Sequence, residues 1–191
     1  VKNLGHRLGA SGTILENTIE GLSKSLDLVS DKRFKYWEFD VRESSDRVLL
    51  AFHDDRINVD GKMIEIKELS FEEISNAGTS MMINIPTFKQ IIEALKDRDE
   101  RVMIEIKNVH SDNGRDNLLS SVSSNGNWML MSTPERFIES FPSENRDLWN
   151  IRARDLGVKL VRVGRHRIDL FKASKNRIAW YYAKPKWFFG I

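Results

Sequence analysis

Ionisable residues spaced two apart inside apolar runs constrain this chain more than any other feature. Glu38 and Asp40 lie in Tyr36-Trp37-Glu38-Phe39-Asp40-Val41, and Glu105 and Lys107 lie in Val102-Met103-Ile104-Glu105-Ile106-Lys107. Residues i and i+2 of a strand point to the same side, so each pair converges on one face of a sheet. The flanking residues call for burial, and buried charge is costly unless a counter-charge or a metal compensates it. The chain must therefore build a sheet whose one face is apolar and whose other face gathers carboxylates around something positive. His6-Arg7 and His53-Asp54 add further ionisable groups near predicted strand ends.

Short apolar runs bounded by turn residues predict strands at 2–5, 36–41, 48–52, 102–106, 128–131, 158–163 and 178–182. Helical spacing separates several of them: Ile19, Leu22, Leu26 and Val29; Phe88, Ile91, Ile92 and Leu95; and the stretch from Phe137 to Leu156. Asn17 or Thr18 suits the cap of the first helix, Pro86-Thr87 begins the second, and Pro134 begins the third. Strands alternating with helices imply a mostly parallel sheet or barrel. Residues 42–47 are too few for a parallel crossover, so 36–41 and 48–52 form a hairpin. With Ser45-Asp46 at its tip, Asp40 pairs with Ala51 and Glu38 with His53, which brings His53 to the carboxylates. The apolar excursion 54–86 is placed over the site, 120–127 reads as an exposed loop, and His110 and His166 fall in loops outside the cluster.

Phosphodiester cleavage needs neutralised nonbridging oxygens, a base for the nucleophile and an acid for the leaving oxygen. His6 and His53 supply groups that titrate near neutral pH as a residue type. Glu38, Asp40 and Glu105 offer hard oxygen ligands suited to Mg²⁺ or Ca²⁺, and Arg7 and Lys107 can hold phosphate. Taken singly, each pair is an ordinary strand-surface motif; their joint order is what points to a site.

Length and charge set outer bounds. The 191 residues suffice for one domain, read here as 1–191, and no uninterrupted apolar run approaches the roughly 20 residues of a membrane span. The absence of cysteine excludes disulfides and thiolate metal sites and suits a reducing, cytoplasmic location, although a chain that begins at Val1 is also compatible with a removed leader. Residues 151–191 carry eleven Lys or Arg against two Asp or Glu, which leaves 1–150 near −7. The basic segment is not interleaved with a nucleic-acid-binding motif and the site-bearing region is acidic, so no nucleic-acid partner is expected. Trp180-Tyr181-Tyr182 and Trp187-Phe188-Phe189 are read as two last strands; the alternative is a lysine-flanked aromatic segment that touches a membrane surface peripherally.

From Gly5-His6-Arg7 through Glu16-Asn17-Thr18, Glu38-Phe39-Asp40-Val41, Phe52-His53-Asp54 and Ile85-Pro86-Thr87-Phe88 to Ile104-Glu105-Ile106-Lys107, the chain resembles the glycerophosphodiester phosphodiesterase family, within the phosphatidylinositol-phospholipase-C-like phosphodiesterases. The resemblance implies a distorted TIM-like (β/α)8 barrel of α/β class. It also implies a divalent cation on Glu38, Asp40 and Glu105, with His6 and His53 as the acid/base pair and Arg7 and Lys107 on the phosphate. The implied reaction releases sn-glycerol 3-phosphate and an alcohol from a small-molecule glycerophosphodiester, by attack of the substrate's own 2-hydroxyl through a cyclic phosphate. Leu8 and Leu15 depart from the family's Gly and Pro, and Arg56-Ile57-Asn58 stands where Leu-x-Arg is usual, so substrate choice is open. Lysophospholipids, lipid headgroups, or phosphate binding without catalysis are the alternatives. The family's late motifs are missing, apart from Trp180 as a counterpart of a late tryptophan. A barrel of this type typically needs about 250 residues, so 191 imply an abbreviated barrel or a chain cut short.

Overall fold

The structure, a computed structural model, describes residues 3–164 and 166–184. Its centre is strand β1 (Trp37–Glu43), buried along its whole length. β2 (Leu49–Ala51) pairs with it antiparallel, and β5 (Val102–Asn108) pairs with it parallel on the other side. β6 (Trp128–Ser132) and β7 (Leu160–Arg162) extend the parallel run, giving the order β2-β1-β5-β6-β7. A second, two-stranded sheet consists of the hairpin β3 (Arg56–Val59) and β4 (Lys62–Glu65).

Alternation along the central strands separates two environments. Trp37, Phe39, Val41, Val102, Ile104, Ile106, Leu130 and Leu160 enter the main core. That core is covered by α1 (Ile19–Lys24), α3 (Phe88–Leu95), α4 (Asp112–Ser123), α5 (Pro134–Ser140), α6 (Arg146–Asp155), α7 (Leu170–Ser174) and α8 (Arg177–Ala183). α2 (Phe71–Ser80) packs with the β3–β4 hairpin around a satellite core of Leu50, Ile57, Ile66, Leu69, Ile74 and Ile85. On the opposite face of the sheet stand Glu38, Asp40 and Arg42 of β1, Glu105 and Lys107 of β5, and an apolar group of Met103, Met131 and Val161. Among the described residues the sheet does not close into a barrel; a five-stranded, mostly parallel sheet is an abbreviated form of one.

Local chemistry explains the ends. Thr87 caps α3 in a reciprocal box with Gln90, and Ser70 does the same for α2 with Glu73. Thr18, not Asn17, caps α1 by accepting from the Gly21 amide. Thr133 caps α5 with Pro134 in its first turn.

Several expectations are corrected. Asn3–Gly5 is not a strand, and Lys2 lies outside the described residues; the segment is bound to β1 by Glu38 N–H to Gly5 O and Leu8 N–H to Glu38 O, both 2.8 Å. Residues Ile19 to Val29 form a short α1 followed by a 3₁₀ helix, Leu26–Ser30. The helix expected from Phe137 to Leu156 is two helices, because Pro142 cannot continue the first. Residues 120–123 complete α4, which leaves only 124–127 as the connection to β6. Residues 178–182 are helical, with Asn176 accepting from the Ile178 and Ala179 amides. The expected strand at Trp187-Phe188-Phe189 lies outside the described residues.

The hairpin register also differs by one. Its loop holds three residues, Ser45 to Arg47, with Arg47 in the left-handed region at φ 66° and Ser44 N–H bonded to Val48 O at 3.0 Å. A two-residue tip would set Asp40 against Ala51; the third loop residue sets Val41 there instead. β2 ends at Ala51, so His53 owes its position to the loop after the strand rather than to pairing with Glu38.

Candidate active site

Glu38 and Asp40 are each 1% exposed and Glu105 is 8% exposed. In the parallel register Asp40 lies beside Glu105, and one ligand atom from each of the three carboxylates falls within 4.8 Å of the other two. Sequence spacing thus located all three. Between Val41↔Ile106 and Arg42↔Asn108 the register skips Lys107, a bulge that leaves this residue without a β1 partner. Its Nζ lies 2.6 Å from Glu105 Oε1 and 3.2 Å from Asp40 Oδ1. Burial works to lower the Lys107 pKa, but attraction to Asp40 and Glu105 outweighs it and leaves the value raised. Lys107 is therefore part of the positive charge that the buried carboxylates require.

Glu38 is the carboxylate least compensated. Burial, reinforced by repulsion from Asp40, pushes its pKa up to about 8, although the Arg7 amide donates to Oε2 at 2.9 Å. Its other oxygen, Oε1, is buried without a hydrogen-bond partner. A buried acceptor left unpaired next to two further carboxylates fits the oxygen-donor set of a hard divalent cation.

The loop before α1 wraps this cluster. Arg7, Leu8 and Gly9 all take positive φ, a run that turns the chain sharply beside the start of β1. Gly5 is required there: a Cβ would stand 2.1 Å from the Tyr36 carbonyl oxygen. His6 Nε2 faces Glu38 Oε2 at 3.6 Å, and its Nδ1 meets Ser11 Oγ at 2.8 Å. The Arg7 Nη1 donates to both Glu16 oxygens, at 2.7 and 2.8 Å, and Nε lies 3.7 Å from Asp40 Oδ2. Asn17 grips Asp40 twice, its Nδ2 donating to Oδ2 at 2.9 Å and its Oδ1 accepting the Asp40 amide at 3.1 Å.

His53 approaches from the other side. It lines a small cleft with Glu105, Lys107 and Arg136, and its Nδ1 meets Asp54 Oδ1 at 2.7 Å. The two histidines thus flank the carboxylates in different clefts, since His6, Glu38 and Glu105 open onto one of about 540 Å³ floored by Met103, Met131 and Val161. The excursion 54–86 lines a neighbouring groove through Arg56, Glu65 and Lys67. His110 lies outside the cluster, with its amide donating to Glu43 Oε2 at 2.6 Å; His166 is in a loop. Sequence reading missed Arg42, Glu16, Ser11 and Arg136. Arg42 carried a signal as the next same-face residue after Asp40, and Glu16 as part of Glu16-Asn17-Thr18; Ser11 and Arg136 carried none.

Fold and site together define an opened TIM-like barrel with a charged pocket on its inner sheet face. The chain belongs to the glycerophosphoryl diester phosphodiesterase family, which it matches over residues 6–181. Members of this family adopt a TIM-like barrel and are phosphoric diester hydrolases. No curated protein sequence matches the chain. Solved structures resemble it at low identity. The glycerophosphodiester phosphodiesterase of Thermotoga maritima is 21% identical with a TM-score of 0.55, and 90% of this chain covers 65% of that one. The glycerophosphodiester phosphodiesterase of Parabacteroides distasonis is 21% identical with a TM-score of 0.50, and coverage is 82% and 71%. For the glycerophosphoryl diester phosphodiesterase domain of an uncharacterized Mycobacterium tuberculosis protein the figures are 16%, 0.54, and 93% against 62%. These likenesses show the fold, and the chain spans slightly under two thirds of the first and last of the three.

Proposed function

We propose that the chain hydrolyses glycerophosphodiesters to sn-glycerol 3-phosphate and an alcohol, with Glu38, Asp40 and Glu105 holding Mg²⁺ or Ca²⁺. The observation that carries this reading is the buried carboxylate triad within 4.8 Å, with Glu38 Oε1 unpaired and a histidine on either side. A bound cation supplies charge neutralisation and a lowered pKa for an attacking hydroxyl. The remaining work falls to side chains. One of His6 and His53 takes the proton of the glycerol 2-hydroxyl as it attacks phosphorus, and the other donates a proton to the departing alcohol oxygen. In the second step the two exchange roles as water opens the cyclic phosphate, so no protein nucleophile is needed. Lys107, and Arg7 as oriented by Glu16, neutralise phosphate oxygens.

A second reading, a diester with an apolar substituent such as a lysophospholipid, is favoured by the Met103, Met131 and Val161 floor beside His6 and Glu38. Contact of the basic, aromatic C-terminal region with a membrane surface would suit it; no helix among the described residues is long and apolar enough to cross a membrane. The test is release of glycerol 3-phosphate from glycerophosphocholine and glycerophosphoethanolamine, and in parallel of acylglycerol 3-phosphate from lysophosphatidylcholine, in Mg²⁺, Ca²⁺ or EDTA. Metal-dependent release, abolished in His6→Ala and Glu38→Ala, upholds the reading. A folded protein that releases nothing from the first two substrates under any condition rejects it.

A further inference from the structure

Arg42 lies on the site face, two residues beyond Asp40, with only 3% of its surface exposed, yet its hydrogen bonds and ion pair are directed to the loop after β2 rather than to the three clustered carboxylates. Its guanidinium instead holds the main chain of His53: Nε and Nη2 donate to the His53 carbonyl oxygen at 3.2 and 2.6 Å. Its Nη1 pairs with Asp55 Oδ1 at 2.7 Å, and Asp55 is gripped from outside by Arg136 Nη2 at 2.7 and 2.6 Å. A buried, permanently charged side chain is costly to place, and this one directs its donors at two residues of a single loop. Backbone bonds hold that loop on either side, Phe52 N–H to Asp40 O at 3.2 Å and Ile66 N–H to Asp55 O at 2.9 Å, but β2 ends at Ala51 and its pairing does not extend to His53.

We propose that Arg42 is a positioning residue for His53, and that Asp55 and Arg136 brace it, so that the imidazole stays in the cleft with Glu105 and Lys107. The assignment rests on the reading of His53 as a proton-transfer group. The planar guanidinium spans carbonyl and carboxylate at once; a lysine at 42 keeps the charge but not the fork.

The experiment compares Arg42→Lys and Asp55→Asn with the wild type, each verified as folded by its melting curve. It measures kcat and KM for glycerophosphocholine with Mg²⁺, and the NMR ring signals of His53 in EDTA, assigned by their loss in His53→Gln. Arg42→Lys is expected to lower kcat on the order of 10- to 100-fold with KM within about twofold, as for a misplaced catalytic group. It is also expected to move or split the His53 signals while those of His166 stay. Asp55→Asn does the same to a smaller extent and serves alone if Arg42→Lys does not fold. His53 signals that ignore the substitution overturn the proposal, whether or not kcat falls. A wild type that cleaves nothing, but whose His53 signals respond, overturns the proposed activity and upholds the positioning.

Discussion

At neutral pH and without metal, the folded chain keeps a proton on Glu38 that the unfolded chain has released. The side chain's pKa rises from 4.5 to about 8, chiefly through burial and then through Asp40. Because the folded state binds the extra proton, stability falls as pH climbs from about 4.5 to about 8 and levels off above. Melting temperatures in EDTA should trace that decline, and Glu38→Gln should flatten it; an unchanged slope in the variant would remove Glu38 as the cause. A cation competes for the same oxygen, so Mg²⁺ or Ca²⁺ should raise the melting temperature more at pH 8 than at pH 6. At 100 times its Kd the gain is about 2.7 kcal/mol. Lys107→Met leaves Asp40 and Glu105 without their ammonium and should destabilise the metal-free protein by about 3 kcal/mol. Added cation should recover more stability in that variant than in the wild type, by differential scanning calorimetry. The carboxylates and Lys107 were legible because two-residue spacing on an apolar strand fixes a face. Arg42's loop contacts and the Ser11 hydroxyl on His6 were not, since neither depends on spacing along one element.

At the scale of elements, a single turn residue decides a register. Arg47 holds a left-handed conformation that side chains adopt at a cost, and β-branched ones at a greater cost. Arg47→Val should therefore lower stability by about 1 kcal/mol, whereas Arg47→Gly should be neutral or slightly stabilising, read from urea midpoints. The sequence marked a hairpin by its short connection but not whether two or three residues would turn. Glu43 ties a different pair of elements. Its buried carboxylate accepts from the His110 and Ser111 amides and the Ser111 hydroxyl at the start of α4, and a Cβ on Gly114 would meet its Oε1 at 2.7 Å. Gly114→Ala should displace that carboxylate and cost about 2 kcal/mol or more. Residues 178–182 misled the strand reading because a five-residue apolar run carries no period of its own. The informative residue was Asn176, whose side chain caps α8.

Across the whole molecule, strand order separates a stable centre from lighter attachments. β1 and β5 are flanked on both sides, whereas β2 and β7 are edges met by isolated bridges, Leu50 to Thr87 and Val161 to Asp169. The β3–β4 hairpin belongs only to the satellite core and is half exposed. Amide hydrogen exchange should be slowest in β1 and β5 and at least tenfold faster in β3 and β4; equal protection would show that the satellite core opens only with the rest. The alternation of strands and helices made an α/β barrel relative legible, but not that the described sheet would stop at five strands, because closure depends on distant segments meeting. Among the described residues, every carboxylate, lysine and histidine of the proposed site lies between positions 6 and 107, on β1, β5 and the loops beside them. On that reading a ribosome has spelled out every proposed proton-transfer group and metal ligand before it reaches residue 108. The later stretch supplies the helices over the core, the Met131 and Val161 floor and the Arg136 brace, so a change there would reach the chemistry through the shape of the clefts rather than through a lost reacting group.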